Sequence, residues 1–180
     1  MKLHIFNPEH DIALAANQER FTAPHAGRRL RTDLGFIPAF WASEGDMVLV
    51  DDVEAAIEAR RHLSKFGKDV VFVTYADLKA FAFEDVESFQ VDPWGWDRTI
   101  KEQLLRANSN LQSFMPSDDT LAAIREMSSR RFAAEHLLPL LREAGEEKTV
   151  GEARYCTTME VVKQAMAQNV KSVLKSPWSS

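Results

Sequence analysis

The stretch that decides the fold is residues 47–73, M-V-L-V-D-D-V-E-A-A-I-E-A-R-R-H-L-S-K-F-G-K-D-V-V-F-V. It begins and ends with a short apolar run. Between the runs, Asp51 or Asp52 can cap a helix that covers residues 53–66, and Gly67 can end it. The second run is apolar throughout, which is typical of parallel strands covered on both faces. The stretch therefore predicts a strand, a helix and a second strand, the unit from which parallel sheets are built.

The same alternation extends toward the start of the chain. Residues 3–6 predict a strand, and a helical pattern that begins near Asn7 follows it. Residues 24–34 predict a second helix that Gly35 closes. Residues 1–116 are therefore predicted to form a Rossmann-like α/β domain with a parallel sheet. No G-x-G-x-x-G follows the first strand, so we expect no dinucleotide at that turn.

The composition excludes several classes of protein. The chain has 180 residues and a formal net charge of -5, so neither nucleic acid nor an anionic membrane is an expected partner. No apolar run approaches the roughly 20 residues that span a bilayer. The single cysteine, Cys156, excludes an internal disulfide and is typical of a reducing compartment. We expect a cytoplasmic protein.

A second region, residues 117–180, has a different pattern. It predicts helices over residues 117–127 and 129–144, a strand over 152–156, a helix that ends at Gln168, and a strand over 170–175 that ends at Lys175. Lys175-Ser176 lacks the upstream glycines of a phosphate-binding P-loop. Ser172-x-x-Lys175 matches a serine hydrolase pattern, but a strand places these two side chains on opposite faces. Both of these motifs are therefore rejected.

Three segments of this region resemble the start of an ATP-grasp domain. They are S-S-R-R-F-A-A-E-H-L-L at residues 128–138, C-T-T-M-E-V-V-K-Q-A at 156–165 and S-V-L-K-S-P-W-S-S at 172–180. In that family a helix that opens with a basic residue comes first, then a strand and a second helix. A further strand follows and ends in lysine or arginine before a loop of small residues. The resemblance covers about 64 residues and implies a partial α+β ATP-grasp subdomain over residues 117–180.

The resemblance implies a function and a set of nucleotide contacts. Members of the family use ATP and Mg²⁺ to join a carboxylate to an amine, or to a similar nucleophile, through an acyl-phosphate. Arg130, Arg131 and Lys175 would contact the ATP phosphates, and the loop that contains Ser176 and Ser179 would cover them. The family's Mg²⁺ ligands lie much further along. We therefore expect this chain to be the N-terminal part of such a ligase, with no metal ligands of its own, no tight ATP binding and no catalysis by itself.

Three polar or aromatic clusters in the first domain are candidates for binding a small carboxylate or amine substrate. They contain Asn7 and His10, then His25, Arg28 and Arg29, and finally Trp94 and Trp96. His10 can move a proton near neutral pH, and the basic cluster suits an anion. Each cluster also has a purely structural interpretation: capping by Asn7, a solvated basic helix face, and two tryptophans that plug the junction with the next helix.

The alternative function is a non-catalytic, Rossmann-like ligand-binding or interaction module that is complete at 180 residues. The predicted final strand also bears on oligomeric state. A strand at a sheet edge has unpaired amides that invite pairing with another copy, so we expect either fraying after about residue 170 or a homodimer formed through that edge.

Overall fold

The structure is a computed structural model that describes residues 1–61, 65, 68–83, 88–146, 152–168 and 171–178. The chain forms two compact units, Met1–Leu121 and Ala122–Ser180. The domain boundary that the sequence places after residue 116 stays a prediction.

Met1–Leu121 is built around a four-stranded parallel sheet, which confirms the predicted α/β class. The strands are β1 (Lys2–Ile5), β2 (Met47–Leu49), β3 (Val71–Val73) and β4 (Gln90–Pro93). Their order is β3-β2-β1-β4, and every neighbouring pair is parallel. Because β1 lies between β2 and β4, the strand order reverses direction at the β1–β4 pair.

Strand β4 was not predicted, because Pro93 and Gly95 indicated a loop there. Pro93 is the last residue of a strand that lies at the edge of the sheet, where the missing N–H of proline is tolerated. Gly95 does lie in the loop after the strand. The sequence Q-V-D-P has only one apolar strand former, so its hydrophobic signal is weak.

Five α-helices connect or follow these strands: α1 (His10–Ala16), α2 (His25–Leu34), α3 (Val53–Arg61), α4 (Tyr75–Ala80) and α5 (Arg98–Ala107). Helices α1, α2 and α3 correspond to predicted helices. Asp52 is the residue that caps α3, since its Oδ1 accepts from the Ala55 amide at 3.0 Å. The predicted end of that helix at Phe66 and Gly67 lies outside the described residues. Helix α4 was missed, although the side chains of Thr74 and Asp77 form a capping box at its start.

The sheet has an apolar core on each face. Leu3, Ile5, Met47 and Leu49 point to one face and pack with side chains that include Leu104 of α5. Val48, Val50 and Phe72 point to the other face and pack with Phe36, Ala39 and Ala56. The expectation that the strand at 70–73 is covered on both faces is wrong at its start, because Val71 in the edge strand β3 is 53% exposed.

One buried polar side chain interrupts this sheet. His4 lies in the middle of β1, with its Nε2 3.2 Å from Asp46 Oδ2 and its Nδ1 3.0 Å from Asp92 Oδ2. Asp46 also accepts from the backbone amides of Lys2 and Ser43, at 2.8 and 2.9 Å. Burial alone would raise the pKa of Asp46, but these backbone hydrogen bonds and the contact with His4 lower the pKa below its ordinary value.

Helix α6 (Asp118–Met127) is followed, in Ala122–Ser180, by α7 (Arg130–Phe132), a π-helical turn over Ala133–Leu137, α8 (Leu138–Glu143) and α9 (Met159–Ala167). The predicted helices over residues 117–127, 129–144 and up to 168 are thus present in outline. The π-helical turn comes just before Pro139, whose ring lacks an N–H and displaces the preceding turn of a helix.

The two strands predicted for the second region are wrong in its described part. Residues 152–157 and 172–176 have no regular secondary structure, although Val170 itself lies outside the described residues. Val173 and Leu174 are 80% and 65% exposed, so the apolar run is not buried. The homodimer was predicted from a strand edge at this position. It stays a prediction, but the described residues form no strand here that could pair with another copy.

In the described residues, no helix combines the length and the apolar character that crossing a membrane requires.

Candidate functional site

The first group of polar side chains lies where strands β1 and β4 end. Ligands of open parallel sheets bind at the carboxyl ends of the strands, at the point where the strand order reverses. Asn7 follows β1 by two residues, and Gly95 and Asp97 follow β4. The sheet order therefore brings together residues that are about 90 positions apart in the sequence.

Asn7 joins the loops that follow these two strands. Its Nδ2 donates to the Gly95 carbonyl at 2.8 Å, and the Gly95 amide donates to its Oδ1 at 3.3 Å. Asn7 makes no capping bond to α1, whose N-cap residue is Glu9 and has no side-chain capping bond. The capping interpretation of Asn7 is therefore wrong, because both ends of its amide are used to hold the second loop.

The partly buried His10 and the buried Asp97 form a pair beside the Asn7–Gly95 contact. The His10 Nδ1 lies 3.1 Å from Asp97 Oδ2, and the Asp97 Oδ1 accepts from the Ile100 amide at 2.9 Å, which caps α5. A carboxylate can only accept, so the Nδ1 carries the proton that this contact shares. An imidazole oriented in this way can exchange a proton through its other nitrogen, Nε2.

A second pair of charges, Glu9 and Arg31, lies close by. The Arg31 Nη1 donates to Glu9 Oε1 at 2.7 Å, and both side chains are mostly buried. Within the described residues, the buried Glu9 Oε2 and Arg31 Nε have no hydrogen-bond partner. Buried charged groups are normally fully paired, so these two atoms indicate hydrogen-bonding capacity that the protein itself does not use.

A cavity of about 140 Å³ lies beside these groups, and His10 is not among the residues that line it. The polar residues around it are Asn7, Glu9, Thr22, Arg28, Arg31, Asp97, Thr99 and Gln103. Gln103 is held by Tyr75, whose hydroxyl donates to its Oε1 at 2.9 Å. Burial raises the pKa of Tyr75 to about 12, so the hydroxyl keeps its proton and remains a donor at neutral pH.

Helix α2 does not bring the three residues of the predicted basic cluster to one site. Arg28 lines the cavity, whereas Arg29 is exposed and pairs with Asp33 at 2.9 Å. His25 is the exposed first residue of α2 and does not line the cavity. Arg31 was missed, although its position three residues after Arg28 places it on the same helix face.

The two tryptophans occupy different environments. Trp96 is partly buried and packs against the apolar core. Trp94 is 63% exposed, and its ring contacts Phe6 and Trp41 at centroid distances of 5.8 and 6.4 Å. The interpretation of both residues as a buried plug is wrong for Trp94. Its backbone amide donates to the Ile5 carbonyl at 2.7 Å, but its side chain faces outward. Neither tryptophan lines the cavity.

The second group of side chains lies in Ala122–Ser180 and forms a basic cleft of about 800 Å³. We call it the cationic cleft. Six basic side chains line it, and Glu152 is the acidic one among the lining residues. The basic residues are Arg130, Arg131, Arg142, Arg154, Lys171 and Lys175.

The two predicted arginines begin α7 and contact different parts of the cleft. Ser129 caps this helix, since its Oγ accepts from the Phe132 amide at 3.1 Å. Arg130 Nη1 donates to the Ser176 carbonyl at 2.9 Å, and the Arg130 amide donates to the Pro177 carbonyl at 3.0 Å. Arg131 pairs with Glu135 at 2.8 Å and lies 5.3 Å from the ring centre of Tyr155.

Lys175 and its neighbours complete one wall of the cationic cleft. Lys171 and Lys175 are exposed, and neither forms an ion pair with a described residue. The Ser176 hydroxyl donates to the Trp178 carbonyl at 2.9 Å rather than into the cleft. Ser179, the other predicted loop contact, lies outside the described residues.

Cys156 also lies in this cleft. Cys156 ends the segment over which the sequence predicts a strand, but it is only partly buried and lines the cleft wall. Its Sγ is 3.8 Å from the Arg154 carbonyl.

Among the described residues, neither candidate site brings together the ligands of a metal centre. In the part of the chain that the structure describes, no three His, Cys, Asp or Glu side chains come together as metal ligands would.

Comparisons with known proteins found no matching family model, no matching curated protein and no matching solved structure.

Proposed function

We propose that this chain is part of an ATP-dependent ligase of the ATP-grasp type, in which the cationic cleft binds the phosphates of ATP. The observation that supports the proposal is the meeting of Arg130, Arg131 and Lys175 in one cleft. These residues were selected from the order of sequence segments alone, and Lys175 lies 45 positions from Arg130 and 44 from Arg131. The substrate, a small carboxylate or amine, would be held by Met1–Leu121.

Charge supports an anionic ligand. The chain as a whole is negative, at -5, but the cationic cleft has six basic side chains and one acidic side chain. Lys171 and Lys175 have no anionic partner in the described residues, so a phosphate would not have to displace one. A charge-assisted contact of this kind contributes about 1.5–3 kcal/mol.

The volume and the apolar lining of the cationic cleft suit a nucleotide. Ligand-binding clefts usually measure about 300–1,000 Å³, and the cationic cleft, at about 800 Å³, lies in this range. Val162, Met166 and Leu174 provide apolar surface for a base, and Tyr155 provides an aromatic ring. A smaller anion such as free phosphate would leave most of this surface unused.

The residues that line the cationic cleft do not provide the oxygen ligands that Mg²⁺ requires. Hard divalent cations require several oxygen ligands, and Glu152 is the only carboxylate among the lining residues. The described lining residues therefore support the proposal of phosphate binding but do not provide a set of metal ligands. In the reaction that the family resemblance implies, the γ-phosphoryl group of ATP passes to the carboxylate and ADP leaves. The amine then displaces phosphate from the acyl-phosphate.

A non-catalytic ligand-binding module is the second candidate function. The observation in its favour is that the cavity in Met1–Leu121 is lined by buried polar side chains, including Asn7, Glu9 and Asp97, whereas the residues that line the cationic cleft are partly or fully exposed. Such a module would bind its ligand at the first group of residues and would show no selective response to ATP.

An NMR titration of the ¹⁵N-labelled protein with ATP, with and without Mg²⁺, tests the proposal. NMR detects weak binding, and weak binding is what we expect of this chain. Amide shifts should concentrate at Arg130, Arg131 and residues 171–175, and should shrink as salt is raised because exposed charges are screened. Lys175→Ala should weaken ATP binding by roughly tenfold, the loss of one charge-assisted contact.

Lys163→Ala is the matched control. Lys163 is exposed and belongs to Ala122–Ser180, but it does not line the cationic cleft. If Lys163→Ala weakens ATP binding as much as Lys175→Ala, or if ATP shifts amides evenly over the whole chain, the interaction is non-specific and the proposal is wrong.

A further inference from the structure

Four charged side chains line the cavity in Met1–Leu121, and the proposed function does not yet explain their arrangement. The cavity lies at the carboxyl ends of β1 and β4, and Glu9, Arg28, Arg31 and Asp97 line it. The two basic and two acidic side chains give a formal charge of zero. A phosphate or another polyanion placed here would lie beside two carboxylates, so this cavity favours a different ligand from the cationic cleft.

The four charges are not equally available to a ligand. Asp97 already contacts Asn7, His10 and the Ile100 amide. Glu9 uses one oxygen for Arg31, while its Oε2 has no partner among the described residues even though the residue is 91% buried. A buried carboxylate oxygen without a donor is a strong acceptor, and an ammonium group is the donor that suits it best.

A free cation lies on the rim of the same cavity. The Arg28 guanidinium is exposed and pairs with no side chain in the described residues. Arg31, one turn further along α2, has an Nε that is also without a partner. Guanidinium groups bind carboxylates in a planar, two-bonded geometry, so this helix face suits a carboxylate.

The volume limits the ligand. About 140 Å³ is well below the roughly 300–1,000 Å³ of sites for drug-sized molecules, which excludes a nucleotide or a peptide. Ala13, Ala23 and Ile100 provide a small apolar wall. A compact molecule with one positive end, one negative end and little side chain fits these limits.

We infer that this cavity is a binding site for a small amino acid, with the ammonium group on Glu9 and the carboxylate on Arg28 and Arg31. The site itself follows from the geometry of Met1–Leu121. Its role as the substrate site of a ligase rests on the proposed function, since an amino acid can supply either the carboxylate or the amine that such an enzyme joins to a second molecule.

Titration of the ¹⁵N-labelled chain with glycine, L-alanine and L-serine, in the absence of ATP, tests the inference. At least one should shift the amides near Glu9, Arg28 and Arg31. Propionate lacks the ammonium group of L-alanine and ethylamine lacks its carboxylate, so each should bind roughly tenfold more weakly or worse. If none of the three amino acids binds, or if propionate binds as well as L-alanine, the inference is wrong.

Single substitutions test which side chains bind the amino acid. Glu9→Gln keeps the side-chain shape but removes the charge, and Arg28→Ala removes the rim cation; each should weaken amino-acid binding roughly tenfold. Arg29→Ala is the control, because Arg29 is the next residue of α2, pairs with Asp33 and does not line the cavity. Unchanged affinity in Arg28→Ala overturns the inference even if Glu9→Gln fails to fold, since the Arg28 side chain is exposed and has no ion-pair partner among the described residues.

The two proposals fail separately. Loss of amino-acid binding with normal ATP shifts overturns the cavity assignment alone. The reverse result overturns the nucleotide site and leaves a small-molecule binding module.

Discussion

A single glycine decides whether His10 can occupy its position beside Asp97. A Cβ at residue 95 would lie 2.2 Å from the His10 Cδ2, and the ring cannot simply move because Asp97 holds it at 3.1 Å. We expect Gly95→Ala to lower the free energy of unfolding by about 1–3 kcal/mol through overpacking. Chemical denaturation monitored by circular dichroism measures this change.

The double variant His10→Ala/Gly95→Ala is the control for that prediction. Removing the ring removes the clash, so the double variant should be more stable than the sum of the two single effects indicates. Strict additivity would show that the two residues do not meet.

Asp46 gives the sheet a specific acid sensitivity. Its folded-state pKa is lowered below the ordinary value of 3.8, so the unfolded chain takes up the proton first. The stabilisation is complete above about pH 4 and is lost as the pH falls through the lower, folded-state pKa. Asp46→Asn should cost about 1–3 kcal/mol at neutral pH and should flatten the loss of stability below pH 4.

Unfolding free energies measured between pH 2 and pH 7 would test this prediction about Asp46. Glu44→Gln, an exposed carboxylate in the same loop, is the matched control. An acid profile of Asp46→Asn that is as steep as that of the unmodified chain would contradict it.

At the residue scale, the sequence identified several side chains of the first site but did not predict the contacts that they make. Asn7, His10 and Arg28 were selected because they are polar and follow a predicted strand or share a helix face. The partner of the first two, Asp97, belongs to a strand end that had no clear signal. Arg31 and Glu9 meet across 22 positions, and no local pattern indicates a contact over that separation.

At the scale of the element, helix α9 depends on one cap. The Thr158 Oγ1 accepts from the Val161 amide at 3.3 Å, and the helix places Val162, Ala165 and Met166 against the cationic cleft. We expect Thr158→Ala to destabilise α9 by about 1 kcal/mol, which corresponds to roughly fivefold faster amide exchange over Met159–Ala167. Hydrogen exchange followed by NMR gives the rate at each residue.

Thr157→Ala provides the comparison for this helix, since Thr157 is exposed and precedes the cap. Equal acceleration by both variants would mean that composition rather than capping controls the helix.

Elements with strong local signals were predicted, and elements that depend on pairing were not. The helix over α3 and the strand β2 follow from periodicity and caps. Strand β4 has a weak apolar signal and forms because β1 offers a free edge, with Leu3 opposite Val91. The reverse holds for residues 172–174, where S-V-L suggests a strand but no partner strand is present in the described residues to pair with it.

At the scale of the whole molecule, the apolar core is concentrated in one unit. All 22 buried apolar side chains of the described residues lie in Met1–Leu121, and Ser129 is the one buried residue described in Ala122–Ser180. Amide protection follows burial and local packing. We therefore expect the amides of β1 and β2 to exchange at rates close to those set by global unfolding, and those of Ala122–Ser180 to exchange much earlier.

Hydrogen–deuterium exchange with mass spectrometry tests this difference between the two units. Addition of ATP should slow exchange in Ala122–Ser180 and leave Met1–Leu121 unchanged, so Met1–Leu121 serves as the internal control. Equal protection of both units without a ligand would contradict the prediction.

The order of the sheet also has a consequence for biosynthesis. Of the four strands of this sheet, the ribosome makes the interior strand β1 first, and the second neighbour of β1, strand β4, begins about 85 residues further along. At roughly 5–20 residues per second, one flank of the nascent β1 stays unpaired for about 4–17 s. During this interval Asn7 and His10 lack their partners Gly95 and Asp97, so the loop that follows β1 cannot reach its final arrangement until β4 and the loop after it have been made.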